Sequence, residues 1–150
     1  MKFEKFLKGC GTSGQVLLRD DGDRWLMCAG VGMKIPNGVE NLLGSGEVPE
    51  KIKSLVEGLI KADTDDKVSL TRAIIEKDGK ASDIIRVFGD GLDIEVGIYN
   101  ADFGLLEKAD VNLAEVEIEE SGADYLDGKY LVILDNADEV IGFIKGVKNI

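Results

Sequence analysis

The sequence predicts a single α+β domain over residues 1–150. It is rich in β structure, with an antiparallel barrel- or sandwich-like sheet and one main amphipathic helix at about residues 49–62. Three observations carry this. Short apolar runs recur along the chain with Asp- and Gly-rich turns between them, the spacing of an antiparallel meander. One segment alone sustains a helical period. Strands do not alternate with helices, as parallel βαβ units require. With 150 residues, 44% apolar and 31% charged, the chain has the size of one domain and the composition of a folded protein.

The elements follow in order. Residues 3–8 suit one or two helical turns, stopped by the glycines of Gly9-Cys10-Gly11-Thr12-Ser13-Gly14. Two apolar runs, 15–19 and 24–28, flank Asp20-Asp21-Gly22-Asp23 and read as a β-hairpin. Residues 31–35 form a further strand, closed by Pro36-Asn37-Gly38. In the helix, Ile52, Leu55, Val56, Leu59 and Ile60 fall at i, i+3, i+4, i+7 and i+8. Pro49 suits its first turn, Glu50 complements the N-terminal dipole, and Gly58 is its weak point. Gly44-Ser45-Gly46 is the expected hinge before it.

From residue 67 the pattern is β. Val68, Leu70 and Ile74 alternate with Ser69, Thr71 and Ile75, and Asp78-Gly79-Lys80 makes a turn. Residues 84–88 form a strand, and Ile94, Val96 and Ile98 mark a half-buried one. Residues 100–108 form an irregular or helical connector. In the next strand Val116 and Ile118 face in while Glu115, Glu117 and Glu119 face solvent. Val111 and Leu113 are out of phase with that pair, which predicts a bulge or break near Ala114. Residues 130–134 and 140–144 close the chain as a hairpin around Asp135-Asn136-Ala137-Asp138.

The chain contains no histidine, the side chain best suited to proton shuttling near neutral pH, and no Ser, Cys or Lys stands in a nucleophile setting. Catalysis is therefore not expected, and the sequence assigns no catalytic residue, no cofactor and no metal ligand. Gly9-Cys10-Gly11-Thr12-Ser13-Gly14 matches GxGxxG, but a dinucleotide site needs that loop after a strand and before a helix, and here the order is reversed. Gly79-Lys80 lacks the glycine loop of a phosphate-binding site. Cys10 and Cys28 have no CxxC spacing and are expected as reduced thiols, Cys28 buried in a strand. Asp20-Asp21-Gly22-Asp23 and Asp63-Thr64-Asp65-Asp66 lack the spacing of a calcium loop and read as turns. Glu115, Glu117, Glu119 and Glu120 read as a solvated negative face rather than a catalytic pair.

The net charge is −11, and residues 101–150 hold −8 of it, with twelve acids against four bases. Such a surface repels phosphate backbones, so no nucleic-acid partner is expected. Apolar runs such as 131–134 are far shorter than the roughly 20 residues that span a bilayer, and residues 1–8 lack a signal-peptide core. No membrane association is expected, and a cytoplasmic address is expected by default. Trp25 and Tyr130 open apolar strands and belong to the core. Phe103, followed by two leucines, either plugs the bottom of a barrel or anchors a neighbouring subunit. Asn100, Asp102, Phe103, Leu105 and Leu106 are the candidate interaction loop, and residues 37–48 a second one.

Two stretches, residues 24–39 (RWLMCAGVGMKIPNGV) and 97–108 (GIYNADFGLLEK), resemble small uncharacterised phage and prophage proteins that accompany virion structural genes. The resemblance implies a virion or assembly role, in the host cytoplasm or the virion, with this chain itself or other virion proteins as partners. It brings no catalytic or ligand residues. The expectation is a non-enzymatic structural or interaction protein. The alternative is a small cation- or ligand-binding module of a cellular protein, using the aspartate turns or a barrel mouth. A carboxylate-based enzyme ranks last, because the acid cluster reads as solvent-facing.

Overall fold

The computed structural model describes residues 1–39, 48–76 and 84–148. Within them lie α1 (Phe3–Cys10), β1 (Gln15–Leu18), β2 (Arg24–Cys28), β3 (Val31–Lys34), α2 (Glu50–Lys61), β4 (Lys67–Glu76) and β5 (Ile84–Gly89). There follow β6 (Glu95–Tyr99), α3 (Asn100–Phe103), β7 (Leu113–Ile118), β8 (Gly128–Leu134) and β9 (Val140–Lys145). The Asp78-Gly79-Lys80 turn, the Gly44-Ser45-Gly46 hinge and most of the 37–48 loop lie outside the described residues.

The nine strands pair antiparallel in the order β1-β2-β3-β9-β8-β7-β4-β5-β6. Three runs of sequential neighbours are thus joined out of sequence, β3 to β9 and β7 to β4, so the sheet is not the simple meander expected. β4 is the pivot. Lys67 and Val68 pair with β7, and the strand then continues against β5. The register slips between Leu70 and Ile74, which stand opposite Phe88 and Arg86, so two extra residues kink β4 there. The β4-β5-β6 portion folds over the remainder and the sheet stays open, sandwich-like rather than a barrel. β6 meets the other layer through the Val147 N–H donating to the Gly97 carbonyl at 2.8 Å and Lys129 Nζ donating to that of Glu95 at 3.2 Å.

The alternation of β8 separates two cores. Tyr130, Val132 and Leu134 join Trp25, Phe143, Ala114 and Val116 beneath α2, whose Leu55, Val56 and Leu59 are buried. Leu131 and Ile133 face the other way, toward Phe6 of α1, Phe88, Val96, Ile98 and Leu105. The phenyl ring of Phe143 stacks on Trp25 and meets Tyr130 edge-on, both at 5.9 Å between centroids. Gly32, its cross-strand partner, leaves room for that ring, which a Cβ at Gly32 would overlap. Arg19 beyond β1 forks onto Glu57 of α2, Nε to Oε1 at 2.7 Å and Nη2 to Oε2 at 3.2 Å, tying the first hairpin to the helix.

The predicted bulge at Ala114 is overturned. The β7–β8 register runs unbroken from Leu113↔Ile133 to Ile118↔Gly128. β7 is buried on both faces, so Leu113 enters one core while Ala114 and Val116 enter the other. A strand with a single apolar face would leave Leu113 out of phase; one covered on both faces does not. Glu115, expected at the surface with Glu117 and Glu119, is 8% exposed for the same reason.

Candidate functional site

The connector after β6 turns its apolar side chains inward. Phe103 is half-buried, its ring 6.1 Å from that of Phe88 and capped by the Arg86 guanidinium 4.9 Å from its centroid. Arg86 also donates from Nε to Asn100 Oδ1 at 3.1 Å. Leu105 is buried and its carbonyl accepts the Lys2 N–H at 2.8 Å, while Leu106 packs partly buried against the same core. Burial pushes the Asp102 carboxyl up. Of the five loop residues singled out from sequence, only Asn100 is exposed. Phe103, Leu105 and Leu106 join the core that Phe6 of α1 shares with Phe88, Val96 and Ile98.

The acidic positions divide in two. Glu117, Glu119, Asp93, Glu95 and Asp127 line a groove of about 540 Å³ between β6 and the β7–β8 layer, with Lys129 among them. Glu115 lies deeper: its Oε1 has no hydrogen-bond partner among the described residues, and desolvation pushes its carboxyl up against the opposing pull of Lys129. The aspartate turns satisfy their own backbone. Asp21 Oδ1 accepts the Asp23 N–H at 2.9 Å, and Asp63 Oδ1 accepts that of Asp65 at 2.8 Å. No three His, Cys, Asp or Glu side chains among the described residues are grouped to hold a metal ion.

The GxGxxG stretch begins within the last turn of α1, with Gly9 and Cys10, forms a 3-10 turn at Gly11–Ser13 and leads into β1, so a strand and not a helix follows it. Its Cys10 is buried beside the half-buried Cys28, and both are free thiols. A pocket of about 430 Å³ opens between α2 and the end of the sheet, lined by Met27, Ile52, Leu55, Leu126 and Phe143, with Tyr125 65% exposed at its rim. Lys145 is the one charged side chain among its described lining residues.

A feature absent from the sequence reading is the outer edge of β4. Beyond Lys67 and Val68 this edge has no strand partner among the described residues. The same stretch exposes Leu70 by 46%, Ile74 by 53% and Ile75 by 38%. An unpaired edge with apolar side chains is a template for strand addition, which soluble proteins usually blunt or cover. Its apolar alternation was legible; its lack of a neighbour depends on β7 pairing with only its first two residues, a long-range choice.

No helix among the described residues is long and apolar enough to cross a membrane. Comparison with protein-family models, with curated proteins and with solved structures finds no match.

Proposed function

We propose that this chain is a non-enzymatic structural or interaction protein that acts by association with protein partners. The observation that carries the reading is the β4 edge, where a strand segment unpaired among the described residues and the exposed side chains of Leu70, Ile74 and Ile75 coincide. Strand addition at such an edge draws affinity from main-chain hydrogen bonds and specificity from alternate side chains. The likeness of residues 24–39 and 97–108 to virion-associated phage proteins makes a virion or assembly component the specific form proposed, since such proteins bind copies of themselves or their neighbours. The 100–106 connector takes part indirectly: Phe103, Leu105 and Leu106 hold the layer that carries β4 and β5, and Asn100 is its exposed polar tip.

The pocket lined by Met27, Ile52 and Phe143 favours a second reading, a module that binds a small apolar ligand. Native mass spectrometry of the purified chain separates the two. The association reading predicts a defined oligomer at multiples of the bare 16.2 kDa mass. A monomer carrying a small molecule overturns it in favour of the ligand module.

A further inference from the structure

We infer that β4 pairs antiparallel with β4 of a second copy of this chain, about a two-fold axis at Ile74. The inference rests on the association reading and names its partner. The segment without a partner on this edge among the described residues includes 72–76, and all five of these residues are exposed. It carries Arg72 at one end, within the bulged stretch 71–73, and Glu76 at the other, each two residues from Ile74. Neither Arg72 nor Glu76 is in a salt bridge among the described residues.

Charge chooses the register. A two-fold interface opposes residue i to j and j to i. Centring it on Arg72 sets two arginines directly opposite each other, and centring it on Glu76 sets two glutamates opposite, both unfavourable cross-strand pairs; centring it on Ala73 or Ile75 sets Arg72 or Glu76 against Ile74, with no opposite charge to meet. Centring it on Ile74 sets each Arg72 against the other copy's Glu76, twice, with the two Ile74 side chains meeting between the ion pairs. Ala73 and Ile75 then pair on the opposite face. The surroundings agree with a second copy as the occupant. Although the chain carries −11 overall, β4 holds Lys67 and Arg72 against Glu76 alone, so joining two such edges does not press acidic surfaces together.

The test is sedimentation velocity on the full chain, with single and paired charge reversals. The wild type is expected to dimerise. Arg72→Glu and Glu76→Arg each convert attraction into repulsion at two symmetric contacts and are expected to weaken the dimer by about tenfold or more. The double variant R72E/E76R restores the opposed charges and is expected to recover most of the lost affinity, a rescue that simple misfolding cannot produce. Ile74→Lys is expected to abolish the dimer while leaving the circular-dichroism spectrum unchanged. An oligomer that survives R72E and I74K overturns the β4 pairing and leaves the association reading standing. A monomer at roughly 100 μM overturns the pairing outright. A monomer with a bound small molecule in its native mass spectrum overturns the association reading as well.

Discussion

Glu115 is a carboxylate on a strand with both faces covered, 8% exposed and with Oε1 unpartnered among the described residues. Desolvation raises its pKa, so the folded state binds its proton more tightly than the unfolded chain does. Its contribution is therefore most favourable at acid pH, below the unfolded pKa, and is lost as pH rises through the folded value. Glu115→Gln is expected to raise stability at neutral pH by about 1 kcal/mol, with the gain shrinking on acidification. Urea denaturation of both proteins at neutral and acid pH reads this; a variant less stable at neutral pH contradicts it. Cys10 works in the same sense at the alkaline end. Burial, then the adjacent Cys28 thiol, push it from 9.0 up to about 12. Its share of stability is whole below pH 9 and drains away as pH climbs toward 12. Cys10→Ala should flatten the alkaline fall in the urea midpoint, and native-state alkylation should label Cys28 well before Cys10. Equal labelling rates would contradict the buried, protonated thiol.

At the scale of elements, α2 offers the clearest tests. Leu59 is fully buried beneath it, and Leu59→Ala is expected to cost about 2–5 kcal/mol. Gly58 sits in the same helix with nothing nearer its missing Cβ than Ile118 Cδ1 at 4.0 Å, ordinary contact. Gly58→Ala should therefore stabilise by about 0.5–1 kcal/mol, read as a rise in thermal midpoint, and a fall would mean the helix packs closer to Ile118 than described. The sequence made this helix legible because its apolar stripe and its Pro49-Glu50 start are local signals. The first hairpin was legible too, since an Asp/Gly turn between two apolar runs fixes it, and the pairing Gln15↔Met27 to Leu18↔Arg24 follows. β7 was misread for a physical reason: a strand covered on both faces has no inward and outward set, so alternation placed Glu115 in solvent and invented a bulge at Ala114. The kink that does exist, between Leu70 and Ile74, lies where sequence alternation looked regular.

For the whole molecule, the β-rich class with one main helix could be read from the spacing of runs and turns, but the closure of the sheet could not. Whether the sheet curls into a barrel or stays open depends on β4 leaving β7 after two pairs, which no local pattern encodes. The same parting leaves the outer edge of β4 unpaired among the described residues, so fold and proposed function share one cause. The candidate loop shows the converse. An aromatic followed by two leucines was legible as an apolar cluster, yet only tertiary packing shows Phe103 under Arg86 and Leu105 in the core. The most direct measurement is backbone hydrogen exchange across β4 as a function of protein concentration. Association through this edge predicts that amides of residues 72–76 gain protection as concentration rises, while those at the centre of α2 do not change. Exchange at 72–76 that is indifferent to concentration, or protection that grows elsewhere instead, would contradict it.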